Sequence, residues 1–223
     1  MTAPGSHLGM STTDTDATVA ALMARAGRTY AEDAGIALKD TPSPLFELLV
    51  LSLLLSTRIS ADIAVAAARE LFAAGYRTPE KMARASWQSL VDALGRGHYK
   101  RYDESTATRL GEAGRKVLDD YHGDLRELAA KAEPDSDAAA KLLQEFTGIG
   151  PVGADIFLRE VQSVWDWVAP HFDERARAAA KDLGLPDDPG RLADLADGKP
   201  EVLAAALVRA SLDKDLLGEV RSA

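Results

Sequence analysis

The sequence contains no cysteine. That excludes disulfides, thiolate zinc sites and a cysteine-held iron–sulfur cluster, and it suits a reducing compartment. Aromatic residues make up only 6% of the 223 residues, and runs of β-branched residues are scarce. No apolar run reaches the roughly 20 residues needed to span a bilayer. No signal peptide is visible, so a cytoplasmic protein with no membrane partner is expected. No internal repeat occurs at a solenoid period. What is abundant is alanine and leucine, both strong helix formers, in a chain that is 46% hydrophobic. The composition predicts a globular, all-α protein with a real core.

Positive charge is also in short supply: the net charge is −9. Taken alone, this argues against a nucleic-acid binder. Its distribution is uneven. Residues 1–57 carry 3 basic and 6 acidic side chains (−3), residues 58–116 carry 11 and 7 (+4), and residues 117–223 carry 12 and 22 (−10). A basic middle could face DNA while the acidic remainder faces solvent. The alternative is an ordinary charged helical surface.

Residues 1–16 are rich in Thr, Ser, Asp and Gly and are expected to be a disordered tail, with Gly5-Ser6-His7 ahead of Met10 reading as a tag remnant. Helical patterns are predicted over 18–33, 45–55, 60–74, 78–85, 86–94, 101–121, 125–132, 137–146, 151–164, 173–183, 192–196 and 201–212. The 45–55 pattern is apolar almost throughout, so it predicts a helix buried in the core, with Ser43 as its cap and Pro44 in its first position. Residues 165–170 are predicted to be irregular.

The stretch 142–161 reads LLQEFTGIGPVGADIFLREV. One helical pattern runs into Phe146-Thr147-Gly148-Ile149-Gly150-Pro151 and a second follows at once. So tight a turn needs glycine where the backbone takes positive φ, and Pro151 suits the first position of the new helix. Several backbone N–H groups are left at a helix N-terminus, where an anion such as a phosphate binds well. This is the pattern of a helix-hairpin-helix, a unit that grips a nucleic-acid backbone without reading bases.

Further pieces occur in order around it. Phe46-Glu47-Leu48-Leu49 leads to Leu54-Leu55-Ser56-Thr57-Arg58. The glycine-flanked loop from Gly95 to Tyr99 comes before the hairpin. Val168-Ala169-Pro170-His171 comes after it, followed by a helix ending in Leu183-Gly184-Leu185-Pro186. With these pieces, roughly residues 44–185 resemble the endonuclease III branch of the helix-hairpin-helix (HhH-GPD) DNA glycosylases, which act in base-excision repair. The resemblance implies two helical subdomains with a cleft between them. One, residues 42–164, is a six-helix barrel-like domain containing the hairpin. The other combines residues 17–41 with 165–223. The resemblance further implies double-stranded DNA as partner and a bound Na or K ion held by the backbone carbonyls of Thr147 and Ile149. No other cofactor is expected, and a monomer is the expected state.

The departures from that family bear on chemistry. Its lyase members carry a lysine where this chain has Val152, and valine cannot form a Schiff base with an abasic sugar. The family's signature aspartate falls at Ala169, or at Pro170 by ungapped counting from the hairpin, and neither can carry charge. The family's C-terminal cysteine cluster is missing.

Candidate catalytic groups are Asp173, which could instead cap the following helix, and His171, which could instead be a hydrogen-bonded support. Asp166 and Asp155 are weaker candidates. Candidate DNA-contact residues are Thr147, Gly148, Ile149, Gly150, Val152 and Gly153 in the hairpin. Arg58 joins them at the position that relatives insert into the gap left by an extruded base, as do Arg96, His98, Tyr99 and Lys100 in the basic loop. Three readings stay open: a DNA-binding protein without chemistry, a monofunctional glycosylase using Asp173 or another carboxylate, and a protein-interaction module with no nucleic-acid role.

Overall fold

The computed structural model describes residues 12–222. It is all-helical, with fourteen α-helices, one 3₁₀ turn and no strand among the described residues. The expected tail lies outside the described residues as far as residue 11. From Thr12 the chain is already helical, in α1 (Thr12–Ala26). No described helix is long and apolar enough to cross a membrane.

The chain forms two compact units. The larger, Thr29–Ala169, is continuous in sequence. It holds α2 (Tyr30–Asp33), α3 (Pro42–Leu55), α4 (Ala61–Ala73), α5 (Pro79–Arg84), α6 (Trp87–Arg96), α7 (Asp103–Tyr121), α8 (Arg126–Ala132), α9 (Ser136–Gln144) and α10 (Pro151–Val161). The centre is α3, buried from Leu45 to Leu54 and packed against α4 and α10. Burying its six buried leucines, valine and phenylalanine stabilises the unit by about 1.5–3 kcal/mol for each side chain. The expected helix start shifts slightly: Thr41 and Pro42 open α3, and Ser43 instead donates to Arg77 O and to Glu47 Oε1 at 3.0 and 3.2 Å. The α5–α7 contact is close because Gly114 has no side chain; a Cβ there would lie 2.9 Å from Pro79 O.

The other unit joins α1 to the chain from Pro170 onward: α11 (Glu174–Asp182), α12 (Pro189–Leu195), α13 (Pro200–Leu212) and α14 (Lys214–Arg221). Its core helix is α13, buried from Val202 to Val208 and packed against α1 and α11. The sequence reading ended the helices at 212. It missed α14, which Asp213 starts by accepting hydrogen bonds from the amides of Asp215 and Leu216.

The boundaries fall at 28/29 and 169/170 rather than at 41/42 and 164/165, and local chemistry explains both shifts. The single helix expected over 18–33 is broken, because Thr29 caps α2 in a reciprocal capping box with Glu32. Buried Glu160 on α10 then accepts from the amides of Tyr30 and Ala31 at 3.2 and 2.9 Å, fixing α2 to the larger unit. Residues 165–169 stay there too. Trp165 is buried against Phe157 and donates through Nε1 to Asp40 at 3.0 Å. The expected irregular stretch contains the 3₁₀ turn Asp166–Val168.

Candidate nucleic-acid interface

The helix α9 stops at Gln144 and α10 begins at Pro151, so six residues make the turn. Phe146 and Ile149 point inward and are buried, with the Ile149 amide donating to Phe146 O at 2.9 Å. Thr147, Gly148 and Gly150 are exposed. Gly148 has φ +94°, the left-handed conformation that glycine adopts without a Cβ penalty. Gly150 is the N-cap of α10, and no side chain caps that end. Among the described residues, the amides of Gly148, Gly150 and Val152 meet no acceptor, and the carbonyls of Thr147 and Ile149 meet no donor. Those two oxygens keep their lone pairs, which fits the hard monovalent cation expected there.

Gly153 is buried, so of the hairpin candidates it serves packing. A Cβ there would lie 3.2 Å from Ser56 Cβ. Val152 is 60% exposed on the first turn of α10.

A cation missed by the sequence reading lies against the turn. Arg109 on α7 passes over Gly148, and a Cβ on that glycine would lie 2.7 Å from Arg109 Cδ and 3.5 Å from its Nη1. Arg109 has no ion pair with any described carboxylate. Lys116 lies seven residues further along α7, on the same face. Its Nζ is 2.6 Å from Asp120 and 3.4 Å from Glu145, the first residue of the turn. The Asp120 hydrogen bond, aided by Glu145, holds the Lys116 pKa above its ordinary 10.5. One lysine thus offsets one of these two acids, and the three groups together keep a net charge of −1. Nothing in the sequence pattern links Arg109 to Gly148, because the approach is purely tertiary.

The basic loop is placed differently from expectation. The helix α6 runs on to Arg96, with Gly97 as its C-cap and His98 in left-handed conformation at φ +62°. His98 N donates to Gly95 O and Tyr99 N to Leu94 O, both at 3.0 Å, which is a Schellman motif. Gly97 is needed for packing, since a Cβ there would lie 2.4 Å from Ala67 Cα on α4. In a Schellman motif the residue after the left-handed one turns back onto the helix, and here that residue is Tyr99, fully buried. Its ring is therefore unavailable to stack on bases, which corrects its role as a contact residue. The Gly97-His98-Tyr99 order was the signal that could have revealed this. Arg96 is exposed and paired with Glu70 at 2.8 Å. His98, Lys100 and Arg58 are exposed.

Asp173 and His171 lie in the other unit, and Asp166 and Asp155 in the larger one. Asp173 is the N-cap of α11; it is 9% exposed and accepts from the Ala176 amide at 2.8 Å. That engagement is the capping role. His171 is half-buried two residues earlier, Asp166 is exposed in the 3₁₀ turn and Asp155 is half-buried on α10. Ala169 is half-buried and Pro170 exposed. Among the described residues, no three His, Asp or Glu side chains are grouped to hold a metal. No protein-family model and no curated protein matches the chain.

Proposed function

We propose that this protein holds duplex DNA by its phosphate backbone through the hairpin between α9 and α10, on a scaffold of the HhH-GPD glycosylase type. The observation that carries the reading is the exposed turn at 148–152. The amides of Gly148, Gly150 and Val152 meet no internal acceptor, the N-terminus of α10 lacks a side-chain cap, and the guanidinium of Arg109 lies alongside with no carboxylate partner among the described residues. Such an arrangement favours an anion by hydrogen bonding, helix dipole and charge together. The proposal assigns binding and no bond cleavage, since Val152 stands where the resemblance places the lysine, and Ala169 or Pro170 where it places the aspartate.

Gly150 gives a clean test. An alanine Cβ there meets nothing within 4 Å, and φ −97° is accessible to any residue, so the fold should lose at most about 1 kcal/mol through a poorer N-cap. The added methyl would instead stand where a backbone must approach the amides. Duplex affinity of the wild type, measured by fluorescence anisotropy between about 50 and 200 mM salt, should fall steeply with salt. Gly150→Ala should bind more weakly while melting close to wild type. A wild-type protein with no salt-dependent affinity for any duplex would remove the DNA reading and favour an interaction module.

A further inference from the structure

Tyr99 is withdrawn from the surface, but its hydroxyl is engaged. It lies 2.7 Å from Thr57 Oγ1, and Thr106 Oγ1 donates to it at 3.5 Å. The Thr57 hydroxyl donates to Leu54 O at 3.0 Å. Proton bookkeeping then fixes the direction of the chain: Thr106 to Tyr99, Tyr99 to Thr57, and Thr57 to the last turn of α3. The preceding residue reaches the other way. Ser56 Oγ shares its proton between Leu53 O at 2.8 Å and Gly148 O at 3.0 Å. Two adjacent hydroxyls at the end of α3 thus tie the hairpin turn and the 97–100 loop to one helix whose centre, Leu45 to Leu54, is buried.

We propose that Ser56 and Thr57 are positioning residues for nucleic-acid binding: they register the hairpin turn against the 97–100 loop, so that both engage the same phosphate backbone at once. Arg58, exposed and next in sequence, is carried by the same anchor. The inference rests on the DNA-holding role proposed above. Neither hydroxyl needs to touch DNA. Tyr99 belongs to this bracket too, which gives its burial a purpose.

Thr57→Val and Tyr99→Phe keep shape and remove one hydroxyl each. Ser56→Ala breaks the hairpin side alone, and Thr57→Ser restores the Thr57 hydroxyl. Each is measured for duplex affinity across salt and for melting temperature in the full chain. Losing one net hydrogen bond from the bracket should weaken binding about fivefold. It should also flatten the salt dependence, because fewer phosphates are engaged together. Thr57→Ser should recover both readouts. A merely destabilised protein would lose affinity through a smaller folded fraction with its salt slope intact. Three results would overturn the inference while leaving DNA binding in place: variants that match wild type, weaker binding with an unchanged slope, or a Thr57→Ser as impaired as Thr57→Val. A wild type that fails to bind duplex overturns both.

Discussion

Gly148 and Gly150 are two residues apart and are glycine for different reasons. Gly148 must be glycine for the fold, since its φ is +94° and Arg109 Cδ occupies the space a Cβ would need. Gly148→Ala should cost about 1–2 kcal/mol for the left-handed backbone, a drop of several degrees in melting temperature. An unchanged melting curve would mean the turn relaxes freely, and the rigid-cradle picture would go with it. The turn's need for a positive-φ glycine was legible in the sequence, as was the capping role of Asp173 at the start of α11. Tyr99 was misread because an aromatic in a basic loop suggests stacking, whereas the Schellman geometry turns it inward. Arg109 could not be found at all from local pattern, because α7 and the turn meet only in three dimensions.

At the scale of elements, periodicity located nearly every helix, and the errors cluster where caps decide. The break between α1 and α2 depends on Thr29 and Glu32, which read equally well as helix interior until the capping box is seen. The shortest helix, α2, has only four residues and cannot stand on its own propensity. Its support is Glu160, a buried carboxylate accepting from two of its first amides. Glu160→Ala would leave both amides buried without an acceptor, at about 1–3 kcal/mol each. Hydrogen exchange should then show the amides of Tyr30 and Ala31 losing protection ahead of those in α3. Equal protection in mutant and wild type would show that α2 is held by something else.

For the molecule as a whole, charge is the main tension. A net charge of −9 and an isoelectric point near 5.0 oppose approach to a polyanion. The excess of acid lies outside residues 58–116, which carry +4. Lowering the pH from about 8 to about 6 brings the protein nearer its isoelectric point and weakens the long-range repulsion. Duplex affinity at low salt should therefore rise over that interval, and the gain should shrink as salt screens the field. A flat pH response at low salt would indicate that the local cradle alone sets binding.

The chain's division has a consequence for its synthesis. The unit from Thr29 to Ala169 is contiguous, and its helices can assemble as they leave the ribosome. For α1 the situation is reversed: it is made before the larger unit, but its packing partner α13 starts only at Pro200. Until some 170 further residues have been translated, Leu22 and the other side chains that α1 buries in the finished protein have no native cover. The smaller unit is thus committed to closing last, and nascent chains stalled before α13 should be the ones that recruit chaperones or aggregate.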